Sequence, residues 1–166
     1  MKTVLILRHA KSSWKHTELA DHDRPLNKRG KRDALRMGLL IREEDLFPDL
    51  ILCSSAKRAQ ATVDLLVETS GYEGEVQIGR DLYAHYADAY LEALRTLVDR
   101  YEKVMVVGHN PGLEELLESL TGEWHRLPTA ALAQVRLSID SWSELDDEIE
   151  GKLLNLWLPK ELPDRG

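Results

Sequence analysis

The amino-acid sequence predicts a three-layer α/β/α sandwich with a mostly parallel central sheet. Short β-rich apolar runs alternate with longer segments in which apolar residues recur at helical spacing, a pattern typical of strand-helix-strand units. The length of 166 residues suits one domain, which at this size buries about two thirds of the surface of its unfolded chain. We expect a single domain over residues 1–158 and a polar C-terminal tail over residues 159–166.

Each strand is predicted from a short run rich in β-branched and other apolar residues. The predicted strands are residues 3–7, 50–53, 103–107, 134–139 and 152–158, with 75–78 as a weaker candidate. Between them lie three apolar stripes at helical spacing, formed by Ala34, Met37, Gly38 and Ile41, by Ala59, Val63, Leu66 and Val67, and by Ala87, Leu91, Leu94 and Val98. Each stripe is expected to cover one face of the sheet.

The strongest helical pattern covers residues 111–120, where leucines follow the full i, i+3, i+4, i+7 spacing. Pro111 suits the first helical position, Asn110 suits the N-cap and Gly122 suits the stop. The acidic segment 141–151 lacks such a pattern, and we expect it to form a surface loop.

The composition excludes several classes of function. The formal net charge is −7, so no overall positive field attracts nucleic acid or an anionic membrane. The N-terminal apolar run is too short to span a membrane and lacks a small-residue cleavage site. The single cysteine, Cys53, rules out an internal disulfide and most cysteine-based zinc sites. We therefore expect a cytoplasmic protein that binds neither nucleic acid nor membrane.

Basic and histidine side chains follow three of the predicted strands. Arg8 and His9 follow the first strand, Arg58 lies in the first turn of the helix after the second, and His109 follows the strand at 103–107. Parallel sheets bind ligands beyond the carboxyl ends of their strands, so these side chains are expected to meet in one crevice. Arginines hold phosphate oxygens in bidentate fashion, and helix N-termini add N–H donors. The four residues therefore predict a site for a phosphoryl dianion.

The two histidines predict covalent phosphoryl transfer. A neutral imidazole is a competent nucleophile toward phosphorus, and its ordinary pKa of about 6.5 leaves much of it unprotonated near neutral pH. His9 is assigned as the nucleophile, and His109, if protonated, would stabilise the charge on the transferred group. One Arg-His or Gly-His pair at a strand end is more often structural, but such residues at three strand ends favour catalysis.

Several motifs resemble those of the histidine phosphatase superfamily. They are LRHA at 7–10, SSAKRA at 54–59 and VGHNPG at 107–112. KSSW at 11–14, DHDRPLNKRG at 21–30 and LPTAAL at 127–132 resemble the SixA-type phosphohistidine phosphatase branch. The resemblance implies a phosphoglycerate mutase-like fold and an enzyme without metal or cofactor. It also implies that His9 is phosphorylated and that Arg8, Arg58 and His109 complete the phosphate pocket.

The sequence departs from the broader family at three positions. Ala10 replaces the glycine of the common Arg-His-Gly motif, which requires a backbone without positive φ. Lys15 stands where mutase relatives carry a phosphate-binding asparagine, so both a phosphate contact and a solvated position are open for it. Asn110 stands where the acid-phosphatase branch carries an aspartate proton donor. An amide cannot donate as an acid, and Asn110 is kept as a candidate substrate-binding residue.

The absence of an evident general acid bears on the substrate. The region expected to hold the mutase glutamate offers only Asp81, Tyr83 and His85, none in a compelling motif. General acids contribute about 10²–10⁴-fold, so an enzyme without one handles alkoxide leaving groups poorly. Imidazole is far less basic, which favours hydrolysis of phosphohistidine on a protein, or of a related phosphoramidate, with inorganic phosphate as product. A small-molecule phosphomonoesterase, a mutase and a non-catalytic phosphate-binding module are the alternatives.

The tryptophans and the remaining histidines are two further groups of candidate site residues. Tryptophans can pack against a protein substrate, and of Trp14, Trp124 and Trp142 we expect Trp14 to lie near the pocket and to bind substrate. The remaining histidines are His16, His22, His85 and His125, and they lack recognisable zinc spacing. We therefore predict no metal site.

Overall fold

The computed structural model describes residues 1–146 and 149–163. Its strands are β1 (Lys2–Arg8), β2 (Leu50–Ser54), β3 (Glu75–Gly79), β4 (Lys103–Gly108), β5 (Leu132–Leu137) and β6 (Gly151–Trp157). They form a six-stranded sheet in the order β3-β2-β4-β1-β5-β6. The pairs β3–β2, β2–β4 and β4–β1 are parallel, whereas the pairs β1–β5 and β5–β6 are antiparallel. The predicted sandwich with a mostly parallel sheet is confirmed.

The helices flank this sheet on both faces. They are α1 (Lys28–Glu43), α2 (Lys57–Ser70), α3 (Ala87–Arg95) and α4 (Gly112–Thr121). α1 packs against α2, and α3 packs against α4. The side chain of Asn27 caps α1 by accepting a hydrogen bond from the backbone N–H of Gly30. α2 ends at Gly71, whose φ of 78° is the left-handed conformation that glycine adopts without strain. None of the helices in the described part of the chain has the length and hydropathy that crossing a bilayer requires.

Alternate residues of the central strands bury their side chains on opposite faces. In β1, Val4 and Ile6 join the core under α3 and α4, whereas Leu5 and Leu7 join the core under α1 and α2. All four side chains are fully buried. Burying each stabilises the fold by about 1.5–3 kcal/mol relative to exposure. The central strands therefore form a rigid support for the loops that follow them.

Two helix ends differ from the sequence-based expectation. α3 ends at Arg95, and Val98 lies beyond it with 56% of its surface exposed. α4 begins at Gly112 with Pro111 as its N-cap residue. Asn110 does not cap the helix, because its amide donates to the carbonyl of Leu127 at 2.7 Å.

Two segments predicted as surface structure are partly packed. In the predicted loop 141–151, Trp142 is fully buried, and its indole N–H donates to the carbonyl of Tyr101 at 2.7 Å. In the predicted tail, Pro159–Glu161 form a 3₁₀ turn with Pro159 buried. Residues 147–148 of that loop and 164–166 of that tail lie outside the described residues.

Candidate active site

The carboxyl ends of β1 and β4 bring two histidines together. The parallel register pairs Arg8 with Gly108, and the backbone N–H of His9 donates to the carbonyl of Gly108 at 3.1 Å. The rings of His9 and His109 consequently lie with their centroids 5.0 Å apart. A cavity of about 500 Å³ opens beside them, lined by Arg8, His9, Lys11, Ser12, Trp14, Asp21, Arg24, Arg58, Tyr83, His85, His109, Asn110 and Thr129.

His9 has the geometry of a neutral nucleophile. Its Nδ1 lies 2.7 Å from the carbonyl oxygen of Ala10, which fixes the ring proton on Nδ1 because a carbonyl only accepts. Nε2 therefore carries a lone pair, which accepts a hydrogen bond from Nε of Arg58 at 3.4 Å. Burial, reinforced by the charge of Arg58, lowers the pKa of His9 to about 4. The electron pair on Nε2 is thus available at neutral pH.

His109 faces the cavity with the opposite ring nitrogen. Its Nε2 lies 2.8 Å from Oγ of Ser54, and its Nδ1 lies 3.4 Å from Nη2 of Arg58. A guanidinium only donates, so Nδ1 is the acceptor and Nε2 carries the proton. Burial, with the neighbouring His9 and Arg58, lowers the pKa of His109 to about 3. The ring is neutral in this site, whereas the charge-stabilising role considered for His109 requires its protonated form. A bound dianion would favour the protonated form.

Arg58 is tied to a loop carboxylate, that of Asp21. Its Nη1 donates to the backbone carbonyl of Asp21 at 2.7 Å, and its Nη2 donates to Oδ2 at 3.1 Å. The Tyr83 hydroxyl also donates to Oδ2, and Nε of Arg24 donates to Oδ1 at 3.0 Å. Partial burial disfavours the charge of Asp21, but the hydrogen bond from Tyr83 and the charge of Arg58 outweigh it and hold the pKa of Asp21 well below its usual range. Asp21 is therefore an anion throughout the neutral range.

Arg24 adds a further guanidinium to the cavity wall. Its Nη1 donates to Oγ of Ser12 at 2.6 Å, and its side chain is only 9% exposed. The guanidinium carbon lies 3.6 Å from the ring centroid of Trp14, a cation–π contact. Trp14 itself is 72% exposed. It therefore stands at the rim of the cavity with one ring face against Arg24.

The remaining residues singled out from the sequence have different positions. Arg8 donates from Nη1 to the carbonyl of Leu127 at 3.1 Å, and Asn110 donates to the same carbonyl. Both line the cavity. Lys15 is exposed and does not line it, and its backbone N–H donates to Oγ of Ser13 at 3.2 Å. The structure thus brings together Arg8, His9, Arg58, His109, Asn110 and Trp14 and leaves Lys15 outside.

Asp21 and Arg24 had no assigned role in the sequence analysis. Their loop is folded back by an isolated bridge between Ser12 and Leu26 and by the N–H of Ser13, which donates to the carbonyl of Pro25 at 2.8 Å. This irregular segment has no periodicity from which its direction can be inferred. The signals in the sequence were the density of charge at 21–24 and its place in the DHDRPLNKRG motif at 21–30.

The three candidate proton donors differ in their position relative to the cavity. Tyr83 and His85 line the cavity, and Asp81 does not. Burial and the bond to Asp21 raise the pKa of the Tyr83 hydroxyl. Among residues 1–146 and 149–163, no three His, Cys, Asp or Glu side chains are grouped so as to hold a metal ion.

Two sequence comparisons identify relatives of this chain. The family model described as the histidine phosphatase superfamily (branch 1) matches residues 4–83. An uncharacterized chloroplastic protein of Arabidopsis thaliana is 32% identical over 152 residues, which is 86% of this chain and 70% of that protein.

Solved structures extend the similarity to the whole fold. A structure from Agrobacterium tumefaciens, assigned as the phosphohistidine phosphatase SixA, has a TM-score of 0.80 at 28% identity and covers 95% of this chain and 98% of its own. The protein histidine phosphatase SixA complexed with tungstate has a TM-score of 0.83 at 21% identity, covering 97% and 99%. Family and structural similarity together support phosphatase activity. The chain belongs to the histidine phosphatase superfamily, with the fold of the SixA structures.

Proposed function

We propose that this protein is a phosphatase that forms a covalent phosphohistidine at His9 and acts on phosphohistidine of a protein, or on a related phosphoramidate. The observation that carries the proposal is the unprotonated Nε2 of His9, which accepts a hydrogen bond from the guanidinium of Arg58 at 3.4 Å beside the ring of His109. A phosphoryl group held there meets positive charge from Arg8, Arg58 and Arg24. Positioning and charge complementarity of this kind are the main sources of catalysis in phosphoryl transfer.

The two steps balance without a protein acid or base. The electron pair of His9 Nε2 forms the new N–P bond, and the pair of the old P–N bond returns to the leaving imidazole, which departs neutral when its other nitrogen carries a proton. Water then attacks phosphorus, and the N–P electron pair returns to Nε2. Both water protons leave with the product as dihydrogen phosphate. The proton stays on Nδ1 of His9, hydrogen-bonded to the carbonyl of Ala10, throughout.

The cavity wall favours a P–N substrate over an ester. Asp21 stays ionised, Asn110 is an amide, and the Tyr83 hydroxyl is engaged by Asp21. An alkoxide leaving group needs a proton that these side chains do not supply, whereas an imidazole does not. His85 also lines the cavity, so the variant His85→Ala belongs in the test.

A substrate panel tests the proposal. Phosphohistidine peptides, phosphoserine peptides, sugar phosphates and nucleotides are compared by kcat/KM with a chelator present. We expect phosphohistidine to be preferred, chelation to have no effect, and His9→Ala to abolish both turnover and labelling of the enzyme by ³²P. His125→Ala is the matched control, because His125 does not line the cavity. Much faster hydrolysis of sugar phosphates, or dependence of phosphohistidine turnover on His85, contradicts the proposal.

The proposal extends to the setting of the enzyme. It comprises one catalytic domain over residues 1–158, operation in the cytoplasm, and no requirement for a metal or cofactor. The net charge of −7 argues against nucleic acid and anionic membranes as partners. A phosphorylated protein or small phosphorylated molecule is the expected partner, and inorganic phosphate is the product.

A further inference from the structure

Asp21 occupies a particular place in the cavity. Among the described residues that line it, Asp21 is the only one with a carboxylate. One guanidinium separates this carboxylate from the nucleophile, since Arg58 contacts Nε2 of His9 at 3.4 Å and Oδ2 of Asp21 at 3.1 Å. The Asp21 side chain is 49% exposed, so it faces the open side of the cavity as well as the arginines.

The proposed reaction is a transfer between two imidazoles, and each ring has the same requirement. A ring bonded to phosphorus through one nitrogen leaves as neutral imidazole only when its other nitrogen is protonated. On the enzyme side, the carbonyl of Ala10 accepts that N–H from His9 at 2.7 Å. In-line displacement at phosphorus places the leaving ring opposite His9. The distal N–H of that ring needs a matching acceptor.

We propose that Asp21 accepts the hydrogen bond from the distal N–H of the substrate phosphoimidazolium and thereby selects an imidazole leaving group; this inference rests on the proposed function. The carboxylate oxygen Oδ1 receives a hydrogen bond from Arg24 and, like any carboxylate oxygen, can accept two. When the P–N bond breaks, its electron pair returns to the substrate ring. The distal proton stays on that ring, so Asp21 neither gains nor loses a proton.

Other acceptors in the cavity suit this role less well. Oδ1 of Asn110 is buried and out of reach of an entering ring. Thr129 and His85 line the cavity but offer neutral acceptors. A carboxylate is the acceptor that also favours the cationic ring, because an opposite charge at hydrogen-bond distance stabilises the protonated form.

The variant Asp21→Asn tests the inference with two substrates. Phosphoimidazole carries the distal N–H when its ring is protonated, and p-nitrophenyl phosphate has none, so loss of activity on the aryl ester reports only disturbance of Arg58 and Arg24. We expect kcat/KM for phosphoimidazole to fall roughly 10- to 100-fold more than for the aryl ester. For phosphoimidazole, the alkaline limb of the plot of kcat against pH should also move to lower pH, because kcat reports the pKa of the bound ring. Asp23→Asn is the control, because Asp23 lies in the same turn but does not line the cavity.

A second measurement needs no variant. N-phospho-N′-methylimidazolium carries the positive charge without the N–H, and the wild-type protein should accelerate its hydrolysis about tenfold less than that of phosphoimidazole, each relative to its spontaneous rate. Equal acceleration, or equal losses on both substrates in Asp21→Asn, would overturn this inference and leave the proposed function standing. Wild-type protein that is inactive on phosphoimidazole and on phosphohistidine peptides would overturn both.

Discussion

Arg58 directs its Nε at the Nε2 nitrogen of His9 across 3.4 Å. The same guanidinium reaches Nδ1 of His109 at 3.4 Å, so a single side chain contacts both histidines. Arg58 lies in the first turn of α2, where the helix dipole adds to its positive charge. Its planar fork lets one guanidinium contact both histidine rings.

Replacing Arg58 with lysine separates charge from geometry. Arg58→Lys keeps the cation but removes the fork, and the loss of charge-assisted hydrogen bonds worth about 1.5–3 kcal/mol each should lower kcat/KM about 100-fold. The measurement is steady-state hydrolysis of a phosphohistidine peptide. Arg32→Lys, at an exposed position on α1, should have no effect. Activity of Arg58→Lys within threefold of wild type would show that the charge alone suffices.

Trp14 is expected to affect binding more than stability. Trp14→Ala removes a residue at the cavity rim that packs on Arg24, so KM should rise a few-fold. The lost cation–π contact, worth about 0.5–1 kcal/mol at an exposed site, should change the melting temperature little. Trp124→Ala is a matched control, because Trp124 is 60% exposed and does not line the cavity. Equal KM values for the two variants would place Trp14 outside the substrate path.

The parallel sheet explains why much of the site was predictable. Buried apolar runs identify β1 and β4, and parallel strands end at a common edge, so His9 and His109 meet without any long-range information. Arg58 follows from the same rule, since α2 begins directly after β2. These predictions depend only on residues adjacent in sequence to regular structure.

The course of the loop between β1 and α1 was not predicted, for a physical reason. Its course is set by individual contacts, such as the N–H of Ser13 with the carbonyl of Pro25, and not by a periodic pattern. Both a phosphate contact and a solvated position were open for Lys15. It is exposed and does not line the cavity, whereas Arg24 does. The protonation state of His109 was equally out of reach, because it depends on burial in the folded cavity.

Gly30 of α1 packs against the backbone of Lys11, in the loop that follows His9. A Cβ at this position would lie 2.0 Å from the carbonyl oxygen of Lys11. Helix propensity alone predicts that Gly30→Ala stabilises by about 1 kcal/mol, but the clash is with backbone and should reverse the sign, costing about 1–3 kcal/mol. Urea denaturation measures the change, with Lys31→Ala at the next, exposed position as control. A more stable Gly30→Ala protein would contradict this packing.

The buried histidines make stability depend on pH. Folded His9 stays neutral down to a pKa of about 4, whereas in the unfolded chain it takes up a proton below its ordinary value of 6.5. The unfolded state therefore binds more protons, and the free energy of unfolding should fall as the pH is lowered from about 6.5 to about 4. The contribution of His9 is on the order of 3 kcal/mol. His9→Gln should remove this part of the pH dependence in phosphate-free urea titrations between pH 7 and pH 4. His125→Gln, outside the cavity, should retain it. If His9→Gln and wild type lose stability in parallel over this range, His9 is already protonated in the folded protein, and its Nε2 is not the free nucleophile at these pH values.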